Sequence, residues 1–269
     1  MAAEERDAGR SQRGNQPPLI EGRGLVKRFG GVTAVDGMSI ALAPGEMVGL
    51  IGPNGAGKTT LFNLLAGTFP PTSGEILIAG AEVSREGPER RIARGVGRTF
   101  QIPRPFAEMT VLENVLTGAQ GQAGERAWMN FLRPARVAAE ERAAVERARA
   151  LLDFVMLSPL EGEPARILSG GQRKLLELAR VLMADPRAIL LDEPAAGVNP
   201  TLLELIIERI LALHAEGRTI LLIEHNMDMV ARLCGRVVVM AAGRHLAEGR
   251  PDEVARDPAV VGAYLGAAA

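Results

Sequence analysis

The patterned part of the chain opens with three apolar, β-rich runs, at about Leu19 to Phe29, Val32 to Leu42 and Met47 to Ile51, parted by turns at Gly30-Gly31 and Pro44-Gly45. Runs of this length between glycine and proline punctuation predict strands. After Ile51 comes a glycine loop, then a helical pattern from Lys58 to Leu65, then Pro70-Pro71 and a further short strand at Glu75 to Ile78. Strand, loop and helix in this order predict a parallel or mixed sheet with helices on its faces.

From roughly Gln101 to Arg166 the texture changes. Thr110 to Leu116 reads as a helix start, and Ala138 to Val155 is rich in Ala, Glu and Arg, all good or adequate helix formers. A helical subdomain, about residues 102–186, is therefore expected within the α/β core. The segment Gln120 to Arg136 carries Trp128, Met129, Phe131 and Leu132, and at helical spacing Trp128, Phe131 and Leu132 share one face. That face reads either as a surface helix packed on its neighbour or as a docking face for a partner.

Beyond it the α/β texture returns. Ala188 to Leu191 and Thr219 to Ile223 are continuous apolar runs of strand length, the pattern of strands buried on both faces, with Leu202 to Leu213 as the helix between them. Arg236 to Met240 and Arg244 to Ala247, joined at Ala242-Gly243, predict a hairpin. Asp257-Pro258 supplies an N-cap and a first-turn residue for a last helix running to about Leu265. Residues 1–18 are polar and charged and end in Pro17-Pro18, so a loose tail is expected ahead of a folded domain over residues 19–269.

Composition narrows the reading. The 269 residues suffice for one large α/β domain or two small ones. Aromatics make up only 3% against 47% apolar residues, so the core must be aliphatic. Thirty-one basic and 32 acidic residues leave a net charge of −1, which gives no broad electrostatic reason to expect nucleic acid or an anionic membrane as ligand. Cys234 is the sole cysteine, which excludes an intrachain disulfide framework or a cysteine metal cluster and fits a reducing compartment. No run approaches 18 consecutive apolar residues and the N-terminus lacks the apolar stretch of a signal peptide, so the chain is not expected to span a membrane by itself. Lysine is scarce, being confined to Lys27, Lys58 and Lys174.

One of those lysines lies in the most specific motif. Gly52-Pro53-Asn54-Gly55-Ala56-Gly57-Lys58-Thr59 matches G-x-x-x-x-G-K-[ST] at every fixed position, with Thr60 following, a strand entering and a helix leaving. Glycines let successive backbone N–H groups turn inward around a β-phosphate, and the helix N-terminus adds partial positive charge. Lys58 reaches the β- and γ-phosphates, and the Thr59 hydroxyl ligates Mg²⁺. Such a loop binds a nucleotide but does not separate a kinase from a GTPase or a transport ATPase.

A phosphate loop also needs a carboxylate at the end of a neighbouring buried strand to hold the metal, and Ile189-Leu190-Leu191-Asp192 supplies one. Glu193 follows immediately. Adjacent residues at a strand end point different ways, so Asp192 can address the metal while Glu193 polarises an attacking water. A small-molecule kinase needs no such base.

Leu168-Ser169-Gly170-Gly171-Gln172 discriminates further. Ser169 and Gln172 have the spacing of a capping box, but capping does not require two consecutive glycines. Gly170 and Gly171 expose backbone N–H groups at a helix N-terminus, a second anion site. One chain with one phosphate loop has no second triphosphate to offer it, and a two-chain arrangement, each loop closing on the partner's γ-phosphate, resolves the mismatch.

At this point the sequence resembles the nucleotide-binding subunits of ATP-binding cassette (ABC) transporters over about Leu19 to Leu265. The resemblance implies a P-loop NTPase core of ABC type with an inserted helical subdomain and an antiparallel β subdomain. Gly52 to Thr60 corresponds to the Walker A loop, Leu168 to Gln172 to the family signature, and Ile189 to Glu193 to Walker B. It further implies that Phe29 stacks on adenine, that Gln101 links the metal and attacking water to the helical subdomain, and that His225 contacts the γ-phosphate. The family's Ser-Ala-Leu-Asp D-loop is replaced by Ala196-Gly197-Val198-Asn199. The implied cofactors are ATP and Mg²⁺, with Thr59, Gln101 and Asp192 around the metal and Glu193, His225 and Gln101 around the hydrolytic step. By contrast His214 and His245 read as ordinary histidines.

Within that family, Gly97 to Gln101, Met109 to Val115, Glu193 to Pro200, Glu224 to Met227 and Ala263 to Gly266 resemble the larger ATPase subunit of branched-chain amino acid importers. This implies a peripheral subunit on the cytoplasmic face of the bacterial inner membrane. Its implied partners are two membrane-spanning permease subunits, a second ATPase subunit and, indirectly, a periplasmic solute-binding protein. The lipopolysaccharide-export ATPase has similar motifs and is the rival transporter. A soluble ABC ATPase working on DNA would carry a long coiled coil between Gln101 and the signature and a basic surface, and neither is evident. A translation-type protein would carry two cassettes, and a P-loop phosphotransferase would lack the signature.

Overall fold

In a computed structural model of the chain the described residues are 17–99, 103–122, 124 and 133–266. In chain order the strands are β1 (Ile20–Phe29), β2 (Val32–Leu42), β3 (Met47–Ile51), β4 (Ser73–Ile78), β5 (Ala81–Glu82), β6 (Val96–Arg98), β7 (Ala188–Asp192), β8 (Thr219–Ile223), β9 (Arg236–Ala241) and β10 (Arg244–Gly249). Each of the three first-predicted strands lies within a residue of its expected bounds. The helix Lys58–Ala66 follows the glycine loop, and Pro134–Phe154, Gly170–Met183 and Pro200–Ala215 supply the long helices.

The described residues form two compact units, one of residues 17–94 and 213–266, the other of those lying within 95–212. In the first, β1 pairs antiparallel with β2 and with β4, giving an antiparallel layer in the order β2-β1-β4-β5. A second layer is parallel at its centre: β3 lies between β8 and β9, parallel to both, and β10 returns antiparallel on β9 as the predicted hairpin. All five residues of β3 and all five of β8 are buried, as continuous apolar runs require when both faces are covered. The backbone there is crowded, for a Cβ on Gly49 would meet Cys234 Sγ at 3.2 Å. The core is aliphatic, and the only aromatic residue that is fully buried among the described ones is Phe62.

In the second unit β6 pairs parallel with β7, whose five residues are also all buried. The helix Gly170–Met183 buries Leu175, Leu176, Leu178, Ala179, Val181, Leu182 and Met183, with Glu177 among them. Ser169 caps it as the S-x-x-Q spacing predicts: the Gln172 N–H donates to Ser169 Oγ at 3.3 Å and the Ser169 N–H to Gln172 Oε1 at 2.9 Å. Such a cap contributes about 1 kcal/mol. Thr110 and Glu113 form a second capping box on Val111–Leu116. The helix predicted from Ala138 begins earlier, at Pro134, whose fixed φ suits a first turn. The Trp128 face lies outside the described residues.

Candidate functional site

Three glycines of the phosphate loop take backbone conformations that side chains resist: φ is 147° at Gly52, 77° at Gly55 and 95° at Gly57. A Cβ on Gly52 would stand 2.1 Å from the Met240 carbonyl oxygen, and one on Gly57 would stand 2.2 Å from that of Ala34. These two glycines let the loop lie directly on neighbouring backbone, whereas Gly55 faces open space. The Gly243 N–H donates to the Ala56 carbonyl at 3.0 Å and pins the middle of the loop. Gly57 caps the helix Lys58–Ala66 without a side-chain acceptor, and no acidic residue stands in the first turn. The first N–H groups of that helix and their partial positive charge therefore stay available to an anion.

Lys58 is only 6% exposed, and its ammonium donates to the carbonyls of Gly52 and Pro53 at 2.8 and 3.0 Å. Thr59 is exposed, and Thr60, Pro53 and Gly57 are half-buried. The other end of this helix is closed by a residue that sequence reasoning missed. Arg91 is fully buried and donates to the carbonyls of Leu64 at 2.7 Å, Val83 at 3.0 Å and Glu86 at 3.3 Å, and also to that of Leu65. Burial pushes its guanidinium down to about 10. Placing a cation on C-terminal carbonyls complements the helix dipole.

Phe29 ends β1 and is 47% exposed. Its ring meets that of Phe69 edge-on, with centroids 5.4 Å apart, and the Lys27 ammonium stands 5.2 Å from the Phe29 centroid and 4.8 Å from the Phe69 centroid. Lys27 is itself held by the Pro70 carbonyl at 2.8 Å. Phe29 is thus a surface ring with a fixed pose. His225 is exposed just beyond β8, in a turn organised by the buried Glu224, whose carboxylate accepts the N–H groups of His225 at 3.0 Å and Asn226 at 3.3 Å. His214 bonds the Gly45 carbonyl at 3.0 Å, and His245 faces Glu248 at 3.3 Å on the surface.

In the second unit Asp192 ends β7 at 4% exposure. Its N–H donates to Thr99 Oγ1 at 3.2 Å, and the Thr99 N–H donates to the Leu190 carbonyl at 2.9 Å, so the residue two before Gln101 is tied to the strand bearing Asp192. Gln101 itself lies outside the described residues. Burial lowers the Arg98 guanidinium, and the Asp192 and Glu177 carboxylates oppose that shift. Glu193 has a φ of 47°, a left-handed backbone that costs a non-glycine residue on the order of 1–3 kcal/mol. Gly171 packs closely, since a Cβ there would meet Leu202 Cδ1 at 2.7 Å and the leucine would have to shift, but Gly170 is exposed with nothing nearer than 3.9 Å. Asn199 is an N-cap: its Oδ1 accepts the Leu202 N–H at 2.9 Å at the start of Pro200–Ala215. An amide oxygen serves as well as a carboxylate there, so the departure from Asp keeps the local fold.

These parts suit a nucleoside triphosphate and a hard cation. Glycines whose Cβ atoms would fill the cradle, a buried lysine and an uncapped helix N-terminus fit phosphate. Thr59 in one unit and Asp192 in the other each offer oxygen, the donor type that magnesium prefers. Among the described residues no cluster of three or more His, Cys, Asp or Glu side chains could hold a metal by itself.

Comparison with known proteins agrees. The ABC transporter family model matches residues 35–196, and that of the branched-chain amino acid ATP-binding cassette transporters matches residues 244–269. The high-affinity branched-chain amino acid transport ATP-binding protein LivG of Escherichia coli is 41% identical over 254 residues, covering 93% of this chain and 99% of that one. BraF of Pseudomonas aeruginosa, of the same description, is 41% identical over 253 residues with the same coverage. A crystal structure of the ADP conformation of an ATP-binding cassette of an ABC transporter superposes with a TM-score of 0.79 at 37% identity, covering 93% of this chain and 99% of that chain. A glycine-cradled lysine, a buried strand-end aspartate followed by a glutamate and a capped signature helix, in one chain matched over most of its length, place it in the ABC transporter family, as one of that family's ATP-hydrolysing cassettes.

Proposed function

We propose that this chain powers the import of branched-chain amino acids, as the larger ATPase subunit of its transporter. The observation that carries the reading is the C-terminal segment 244–269, outside the common cassette, which fits the branched-chain model; relatives about 40% identical over 93% of the chain bear that function in their names. No helix among the described residues is long and apolar enough to cross a membrane, so passage belongs to membrane partners. In this reading those partners are two permease subunits, served by a periplasmic binding protein, with the chain on the cytoplasmic face of the inner membrane. A second ATPase subunit, identical or homologous, completes the pair.

Each residue then has a role. Phe29 carries the adenine, and the loop Gly52 to Thr60 holds the phosphates through backbone N–H groups and Lys58. Thr59, Asp192 and Gln101 would hold Mg²⁺, which would neutralise charge on the phosphates when bound. Glu193 takes the proton of the attacking water, with His225 and Gln101 positioning it. Ser169, Gly170, Gly171 and Gln172 cover the partner's nucleotide. The nucleotide binds the closed pair of cassettes better than the open one, and that differential affinity shifts the membrane subunits between states.

Reconstitution with candidate permease subunits tests the substrate assignment. Binding protein loaded with leucine, isoleucine or valine is expected to stimulate ATP hydrolysis and labelled uptake together. Stimulation by lipopolysaccharide or by another solute class, with none by these amino acids, would replace it.

A further inference from the structure

Lys174 lies on the signature helix Gly170–Met183, outside every motif position named so far, and its ammonium donates to the backbone carbonyl of Glu193 at 2.5 Å. That carbonyl also accepts the Ala196 N–H at 3.2 Å, closing a turn. Glu193 sits in this turn with φ at 47°, and it precedes Pro194, which narrows the conformations open to it. A left-handed glutamate persists only where its surroundings over-determine it. Two donors on one carbonyl do so here. Lys174 reaches the turn along the wall of a cavity that Thr99, Asp192 and Pro194 also line, so the residues on either side of Glu193 face the same space as the lysine stem.

We infer that Lys174 is a positioning residue for hydrolysis: it holds the Glu193 backbone in the left-handed turn that sets the direction of the glutamate side chain, and thereby ties that turn to the signature helix. The inference rests on the assignment of Glu193 as the base. Lysine suits the task because a compact charge on a flexible stem can be directed at a single carbonyl. No proton or electron pair passes through Lys174; its contribution is geometric, and displacement of a reacting group by about 1 Å costs on the order of a hundredfold in rate.

The test is steady-state ATP hydrolysis by the full chain assembled with its membrane subunits, read together with ATP affinity. Lys174→Met is expected to lower kcat on the order of ten- to a hundredfold while KM for ATP stays within about twofold, and Lys174→Arg, which keeps a cationic donor, is expected to restore most of kcat. If Lys174→Met does not fold, Lys174→Ala is read in the same way. In a Glu193→Gln background Lys174→Met is expected to add no further loss, because the group being positioned is already inert. An unchanged kcat in Lys174→Met, a rise in KM without loss of kcat, or an equal further loss in the Glu193→Gln background would each overturn the positioning role. Full turnover in Glu193→Gln alone would instead remove the base assignment, and this inference with it.

Discussion

The ammonium of Lys58 and the carbonyl of Gly52, six residues apart, are joined by a 2.8 Å hydrogen bond that closes the phosphate loop on itself. A buried cation held by neutral carbonyls of its own loop is placed to exchange them for an anion at little cost in rearrangement. Arginine would bring a wider planar fork into a space fitted to a point charge. Lys58→Ala and Lys58→Arg are therefore both expected to weaken ATP binding by at least about tenfold, roughly 1.4 kcal/mol. Calorimetric titration of each variant measures it, and unchanged affinity in Lys58→Ala would count against the phosphate loop.

Arg91 is expected to be a stability residue of unusual weight. It satisfies carbonyls of Leu64, Leu65, Val83 and Glu86 from full burial, and Gly67 beside it has φ at 79° and no room for a Cβ, which would meet Arg91 Nε at 2.7 Å. Arg91→Met removes the donors but leaves the acceptors buried. It is expected to cost about 3–5 kcal/mol in urea unfolding, with Arg91→Lys, which can serve fewer carbonyls, falling between.

Why was Arg91 invisible in the sequence when Lys58 was plain? Lys58 stands in a motif whose spacing is dictated by a phosphate group, so local order carries the information. Arg91 sits in Glu89-Arg90-Arg91, which reads as a solvated charged turn, and its burial arises only when Val83 and the end of the helix Lys58–Ala66 meet around it. The strands were legible because burial on both faces writes itself as unbroken apolar runs, as in Met47–Ile51 and Thr219–Ile223. Val96–Arg98 was not, being three residues long and defined by its pairing with Ala188–Leu190. The same holds for Glu224: its sequence neighbours mark His225, while its own role, accepting two backbone N–H groups, is a property of the turn. The left-handed backbone of Glu193 has no sequence signal, since the residue type disfavours it.

Cys234 makes a prediction about alkaline pH. Burial raises its thiol from the ordinary 9.0 to about 12. The folded chain keeps this proton where the unfolded chain releases it, so the contribution to stability is constant below about pH 9 and falls as pH climbs towards 12. The slope is about 1.4 kcal/mol per pH unit. The difference in unfolding free energy between the wild type and Cys234→Ala is expected to shrink over that window and to be flat below it. At pH 8 the folded protein is expected not to react with a disulfide reagent until it is unfolded.

Phe29 separates base recognition from phosphate recognition, and the comparison of two ligands isolates it. ATP and inorganic tripolyphosphate present the same phosphate chain to the loop Gly52 to Thr60, but only ATP has a ring to stack. Phe29→Ala is expected to weaken ATP binding by about 1–3 kcal/mol, the range for a base on an aromatic platform, and to leave tripolyphosphate affinity unchanged. Lys27 stands over both Phe29 and Phe69 and is anchored to the Pro70 carbonyl, so it fixes the ring before any base arrives. Lys27→Met keeps the stem but removes the charge that orders the pair. Its effect on ATP is expected in the same direction and smaller, about 0.5–1 kcal/mol, again with tripolyphosphate unmoved. Equal losses for both ligands in Phe29→Ala would mean that the substitution disturbs the phosphate loop, and no loss for ATP would place the adenine elsewhere.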